Sequence, residues 1–328
     1  MNLSIADRAL RPMLSVIICC YNEAKVLPVF HQRLMAAVRA LSIRYELLYV
    51  NDGSRDETQN VLSFFCQTPE VRCLNLSRNF GKEAAMVAGV DHARGDAVLF
   101  IDADLQDPPE CIPLMVDQWL NGFDIVNMQR RSRVSDTPGK RISAHLYYTL
   151  IGFLADKFDV PPHVSDFRLI GPAPLAALRA MPERTRFMKG LIGWLGFNTI
   201  EMPYDREPRI AGQTKWGPLA LVDLGIDGVL AVSRKPLRWF SLLSLLIFIS
   251  TLAFIVHQFS AETLGTHHFV LGIAAFIALG TAMIGEYMGA TLSEVRHRPI
   301  YLLKGQVGHM PRKPGKPDTT PALEQETL

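Results

Sequence analysis

Four short aliphatic runs, "LSVIIC", "YELLYV", "VRCLNL" and "AVLFI", recur through the first hundred residues. The first three are each followed by a stretch of helical period, "NEAKVLPVFHQRLMAAVRAL", "SRDETQNVLSFF" and "GKEAAMVAGVDHA". Parallel strands cannot be joined by tight turns; they need a crossover of about a dozen residues or more, and these helices supply it. The alternation therefore predicts a βαβαβαβ unit, a mostly parallel α/β sheet covered on both faces. In the first helix Val26, Phe30, Leu34, Val38 and Leu41 recur every three or four residues as one apolar stripe, while Pro28 is compatible only with its start. Such sheets bind ligands beyond the carboxyl ends of their strands. That rule selects Tyr21 to Glu23, Asn51 to Ser54, Ser77 to Lys82 and Asp102 to Asp107.

Each of those segments carries a chemical signature. Asp102 and Asp104 flank one residue at the end of an apolar run, so a continuing pleat puts both carboxylates on one side and Ala103 on the other. Hard oxygens at that spacing suit Mg2+ or Mn2+, which bind through one or two carboxylates plus substrate phosphates, and Gln106 offers a third oxygen. For an isolated D-x-D the better reading is a strand end that caps the next helix; four successive polar or glycine-containing strand ends favour chemistry instead. Asp107, beside Pro108 and Pro109, reads as a helix-start residue. Asp52 ends the second strand where Gly53 must turn the chain, a position able to hydrogen-bond a nucleobase edge, with Asp56 as an N-cap. Arg78 and Lys82 stand beside a helix N-terminus, which stabilises an anionic diphosphate.

Composition shifts after Lys235. Hydrophobic residues make up 48% of the 328-residue chain, high for a purely soluble protein, and they concentrate in two stretches. Trp239 to Val256 holds no charged residue and Phe269 to Ser293 only Glu286, lengths near the roughly 20 residues needed to cross a bilayer. Arg234, Lys235 and Arg238 precede the first stretch and Arg296, Arg298 and Lys304 follow the second, which predicts both ends in the cytoplasm. "WGPLALVDLGIDGVLAV" places Leu219, Val222, Ile226 and Val229 on one face, as an interfacial helix does. The expected order is an arm over 1–12, a catalytic domain over 13–214, a juxtamembrane helix over 215–236, two transmembrane helices over 237–293, and a C-terminal segment over 294–328, disordered beyond about Pro311. A net charge of +2 gives no general attraction to nucleic acid. Five cysteines without a CxxC pair point to reduced thiols rather than a zinc site. The run "MLSVIICCY" after Arg8 and Arg11 is too short for a signal peptide and ends in Asn22 and Glu23.

The segments "IICCYNE", "VNDGSRDET", "LSRNFGKEAA", "DADLQDPPE", "SDFRLI", "RTRFMKGLIGWLGF" and "GEYMGATLSEVRHRPIY" together resemble the polyprenyl-phosphate glycosyltransferases of glycosyltransferase family 2, most of all the bacterial bactoprenol (undecaprenyl-phosphate) glucosyltransferases. The resemblance covers most of residues 13 to 304. It implies a GT-A (Rossmann-like) fold, a nucleotide-sugar donor, a divalent cation, and a polyprenyl phosphate acceptor at a bacterial inner membrane, with the catalytic domain cytoplasmic and the chain a homo-oligomer, a tetramer by likeness. Glucose from a UDP-linked donor is the first expectation; N-acetylglucosamine, amino-arabinose and mannose stay open. By similarity Tyr21, Glu23 and Asp52 hold the nucleoside, Lys82, Asp102, Ala103, Asp104 and Gln106 face the diphosphate and metal, Asp166 faces the reacting centre, and Arg209 and Lys215 close over the phosphates. Ser165 stands where the family usually has glycine, and Thr214 where it often has serine.

The acceptor needs positioning more than deprotonation, because a phosphate monoester with a second pKa near about 6 is already anionic. Two anions must still meet, and Arg130, Arg131, Arg133, Lys140 and Arg141 are placed to bind the acceptor phosphate or, less specifically, anionic headgroups. A phosphatase using D-x-D as nucleophile and acid carries the pair after its first strand, followed by Thr or Val; here it ends the fourth and is followed by Leu105 and Gln106. A processive synthase would show Q-x-x-R-W, which is absent. A non-catalytic nucleotide-binding membrane partner is the remaining alternative.

Overall fold

The computed structural model describes residues 12–131, 164–181, 183, 188–208, 242–247, 249–250 and 266–308. Its elements run β1 (Met13–Cys20), α1 (Leu27–Arg39), β2 (Arg44–Asn51), α2 (Thr58–Phe65), β3 (Val71–Leu76), α3 (Lys82–His92), β4 (Ala97–Asp102), α4 (Ile112–Leu120), β5 (Ile125–Arg130), β6 (Val164–Ile170), α5 (Pro172–Ala180), α6 (Met188–Trp194), β7 (Thr199–Tyr204), α7 (Thr266–Val295) and β8 (Leu303–Val307). The strands form one sheet in the order β7-β5-β6-β4-β1-β2-β3-β8. Its β3-β2-β1-β4 half is parallel throughout, as the alternation of periods requires. β6 enters antiparallel to both β4 and β5, β7 runs parallel to β5, and β8 is antiparallel to β3.

Alternate residues of β1 serve opposite faces, as the two-residue pleat demands. Val16 and Ile18 pack with Phe30, Leu34 and Val38 of α1, whereas Ile17 packs with Ala85, Met86 and Val90 of α3. Phe30, Leu34 and Val38 of the expected stripe are buried on α1, Val26 and Leu41 lie just outside the helix, and Pro28 lies in its first turn. Helix α3 lies so close to the sheet that a Cβ on Gly89 would fall 2.3 Å from Ile17 Cγ2. That contact fixes the depth at which α3 presents its first residue, Lys82.

Register then does the positioning. Cys20 pairs with Asn51, Asn51 with Asn75, and Cys19 with Asp102, so the carboxyl ends of the four parallel strands finish in one row. At the amino ends lies a buried polar cluster that no local pattern announces: Glu46, fully buried, accepts from Ser15 Oγ at 2.5 Å, Arg94 N at 2.7 Å and Arg72 at 3.0 Å.

His31 of α1 stacks on Phe65 at 3.9 Å and its Nδ1 lies 2.8 Å from the buried Tyr49 hydroxyl. Burial, with Arg39 nearby, pushes its pKa from 6.5 to about 4. The unfolded chain therefore takes up a proton that the native state refuses as pH falls from 6.5 toward 4, and stability is lost across that window. Because the ring is partly exposed, we expect about 1–2 kcal/mol rather than the full shift. Thermal unfolding of the parent and of His31→Gln from pH 8 to 4.5 checks this; parallel curves would rule out the contribution.

Taking the described residues alone, no helix is long and apolar enough to cross a membrane. The expected first span falls mostly outside them, with 242–247 and 249–250 helical. The expected second span coincides with α7, 30 residues long, whose side chains are described at only part of its positions; these include the exposed Val270, Ile277, Ile284, Met288, Leu292 and Val295. Residues 1–11, the juxtamembrane segment 215–236 and the tail from 309 lie outside the described residues. The segment after α7 returns to the sheet, which was not anticipated. Ser77 N donates to Leu302 O at 2.8 Å, β8 covers the β3 edge, and the Tyr301 hydroxyl donates to Asp91 at 3.1 Å. A covered edge no longer offers unpaired backbone groups to another chain.

Candidate active site

The loops after β1 and β2 are laced to each other by side-chain to backbone bonds. Asn22 holds a left-handed φ of 53°, which asparagine tolerates, and its Oδ1 accepts from Arg55 N at 2.8 Å. Its own N–H donates to Ser54 Oγ at 2.9 Å, and Asn51 Oδ1 accepts from Ser54 N at 3.1 Å. Asp56 accepts from Thr58 N and Ala24 N but is not the expected N-cap: that position is Glu57, and Asp56 stands one residue before it. Tyr21 and Glu23 are partly buried on this rim, with Glu23 N bonded to Thr58 Oγ1.

Asp52 works inward. Its carboxylate accepts from Phe80 N at 2.7 Å and Gly81 N at 3.0 Å, so it fixes the β3–α3 turn, and only its remaining lone pairs are available for any further hydrogen bond. Gly53 at φ 64° is required by the same approach, since a Cβ there would meet Arg78 C at 2.3 Å and Asn79 N at 2.5 Å. The Arg78 guanidinium lies over the Phe80 ring at 4.1 Å. From this turn Lys82 extends to two carboxylates, with its Nζ 2.8 Å from Asp102 and 2.6 Å from Asp166. Burial alone would push the ammonium down, but the two carboxylates hold its pKa well above the usual lysine range. Cys19, level with Asp102, is pushed up by burial and stays a neutral thiol.

The pleat argument for Asp102 and Asp104 fails, for a backbone reason. Strand β4 ends at Asp102, and the chain then turns through Leu105 at φ 62°, a left-handed and fully buried leucine. Asp102 keeps about a third of its side chain exposed, while Ala103 and Asp104 are buried, and Asp104 Oδ1 accepts from Gln106 N at 3.1 Å. Gln106 is drawn toward Glu207: it accepts from Glu207 N at 3.0 Å, and its side-chain nitrogen reaches Glu207 O at 3.5 Å.

Asp107 is not a helix-start residue. The short turn Pro109–Cys111 begins without a side-chain cap, and Asp107 is buried as the acceptor for the Tyr204 hydroxyl, with Ser165 Oγ at 3.5 Å. Burial, then the Asp102 charge, pushes its carboxyl up to about 6 against the pull of Tyr204, Arg130 and Arg206. The Ser165 hydroxyl also accepts from Phe167 N at 3.2 Å, so the residue that replaces the expected glycine is integrated by hydrogen bonds.

The expected acceptor-site arginines divide. Arg130 is partly buried beside Tyr204 and feels both Asp107 and Asp166, whereas Arg131 is exposed and paired with Asp205 at 3.1 Å. Arg133, Lys140 and Arg141, like Arg209, Thr214 and Lys215, lie outside the described residues. Tyr204, Arg206 and Arg33 were missed. Arg33 meets Glu110 and Glu207 across 77 and 174 residues of chain, distances at which no local pattern carries a signal.

A parallel half-sheet whose strand ends converge on Asp52, Lys82 and Asp102, extended by an antiparallel strand that delivers Asp166, has the architecture of a GT-A glycosyltransferase domain. Residues 15–176 match the model described as glycosyl transferase family 2. An uncharacterized glycosyltransferase of Synechocystis sp. is 41% identical over 88% of this chain and 94% of its own length. The prophage bactoprenol glucosyl transferase homolog of Escherichia coli is 34% identical over 89% of this chain and 98% of its own. The bactoprenol glucosyl transferase of Shigella phage SfV is 33% identical over 89% and 98%. The chain belongs to glycosyltransferase family 2.

Proposed function

We propose that this glycosyltransferase moves glucose, with inversion, from UDP-glucose to undecaprenyl or a related polyprenyl phosphate on the cytoplasmic leaflet of a bacterial inner membrane. The observation that carries the reading is the Lys82 bridge between Asp102 and Asp166 at the carboxyl end of the sheet, in a chain whose relatives include proteins named bactoprenol glucosyl transferases. The Lys82 ammonium, held charged between two carboxylates, offsets one of their two charges and fixes both where the donor diphosphate and its cation would sit. Asp166 has an oxygen committed to Lys82 at 2.6 Å and orients the reactants; no proton needs removal from an acceptor that is already ionised. In the single displacement an acceptor phosphate oxygen bonds to the anomeric carbon as the donor's sugar–phosphate bond breaks, the electron pair leaving with the nucleoside diphosphate. Arg130, beside Asp166, offers the acceptor phosphate a guanidinium; Arg131 and Arg141 have the same part in this reading.

Mg2+ or Mn2+ held between protein and diphosphate needs only one or two carboxylates. Asp102, with Oδ2 on Lys82 and Oδ1 left over, and Asp104 provide two hard donors of that type. Among the described residues no group of three or more His, Cys, Asp or Glu is arranged to hold a metal by itself. The donor set fits a cation shared with the substrate, which when bound neutralises charge on the leaving diphosphate.

The apolar stretches 239–256 and 269–293, the exposed aliphatic side chains of α7 and the flanking basic residues support two membrane spans, with the catalytic domain and both termini cytoplasmic. A homo-oligomer, tetrameric by likeness, completes the proposal. The test is the full-length protein in detergent with undecaprenyl phosphate, Mn2+ or Mg2+ and a panel of labelled nucleotide sugars. UDP-glucose is expected to give the most lipid-linked product; none from any donor overturns the transferase reading.

A further inference from the structure

Arg33, partly buried beside the apolar stripe of α1, grips two carboxylates at once. Its Nε and one terminal nitrogen bond Glu110 at 2.8 Å each, and its terminal nitrogens bond Glu207 at 2.9 and 2.6 Å, so both contacts are two-pronged. Those partners are not arbitrary. Glu110 lies just past the Asp102–Asp107 turn, and Glu207 lies against it, its N–H donating to Gln106 O at 3.0 Å and its carbonyl met by the Gln106 side chain at 3.5 Å. Inside the turn Leu105 holds φ 62° with its side chain fully buried. A left-handed leucine is a conformation that persists only where its surroundings over-determine it. From a single guanidinium the clamp ties Glu110, which follows the turn, to Glu207, in the segment that backs it.

We propose that Arg33 is a positioning residue for donor binding, acting through Glu207 and Glu110 to hold the Asp104–Gln106 turn in the geometry that receives the cation and diphosphate. The inference rests on the transferase reading above. It assigns Arg33 no contact with the reacting atoms. Lysine cannot replace it, because an ammonium is a point charge without two planar forks. The bonds from Arg33 also hold the carboxyls of Glu110 and Glu207 below the usual range, so the clamp stays charged at neutral pH.

The test uses the full-length protein in detergent, with Arg33→Lys, Arg33→Gln and, should either fold poorly, Glu207→Gln. Two readouts are taken: Mn2+ binding in the presence of UDP by calorimetry, and the split between KM for the donor and kcat. A Mn2+ dissociation constant and a donor KM each raised about tenfold, with kcat changed less than threefold, are expected for Arg33→Gln, and at least half that effect on a logarithmic scale for Arg33→Lys. Unchanged Mn2+ binding overturns the inference, as does a loss confined to kcat or one that Arg33→Lys restores in full. If the parent itself makes no lipid-linked product, the transferase reading fails, while the Mn2+ and UDP titration still decides whether Arg33 shapes the turn.

Discussion

Lys82→Ala is expected to lower kcat by about 10³ while leaving the fold intact. Loss of one preorganised charge that stabilises a leaving group costs roughly 10²–10³ in rate, and here the loss has a second consequence. Asp102 and Asp166 share Nζ at 2.8 and 2.6 Å, so without the ammonium two like charges face each other in a partly enclosed site. Such pairs relieve their repulsion by binding a proton or moving apart, and either outcome spoils the placement of both. Stability is affected far less. All three groups keep about a quarter to a third of their side-chain surface in water, where an ion pair contributes at most about 1 kcal/mol. Alanine is also at least as good as lysine in the first turn of α3. Steady-state rates and a thermal melt on the same preparation separate the effects. Turnover within tenfold of the parent would return Lys82 to a structural ion pair.

Where the sequence was legible, two periods did the work. The switch between a two-residue and a 3.6-residue repeat made β1 to β4 and α1 to α3 readable, and the strand-end rule led from them to Asp52, Lys82 and Asp102. Asp166 came only through resemblance, because it sits on an antiparallel strand inserted beside β4 by a later part of the chain. The misreadings share one cause. Asp104 and Asp107 were judged by local spacing, yet a left-handed turn at Leu105 and a buried tyrosine 97 residues away decide where they point. The amphipathic stripe of α1 correctly gave its buried face and said nothing of Arg33 at its flank, whose partner Glu207 is known only once β7 is in place. Edge strand β8 is likewise invisible: "LKGQV" is too polar to read as a strand, and it is defined by the β3 backbone that it pairs with.

The largest loss of stability is expected from a residue far from the chemistry. Glu46→Ala should destabilise the protein by about 3–5 kcal/mol, the range for breaking a buried ion pair from one side. Glu46 is inaccessible to water, and its two oxygens accept from Ser15, Arg94 N and Arg72. Among the described residues, alanine leaves the nearly buried Arg72 with the His92 carbonyl at 3.1 Å as its one remaining hydrogen-bond acceptor. Ser15 keeps its bond from Gly95 N. The penalty is thus mainly an uncompensated guanidinium. Removing it should restore most of the stability, so Glu46→Ala with Arg72→Met is expected to lie closer to the parent than the single variant does. At roughly 2–4 °C per kcal/mol for a domain of this size, the single variant should melt about 6–20 °C below the parent. Below that temperature its turnover should match, because the cluster sits at the amino ends of β1 and β2 while Lys82, Asp102 and Asp166 converge at the carboxyl end. A variant that melts normally would refute the ion-pair account, and one that melts low but also turns over slowly would mean the two ends of the sheet are coupled.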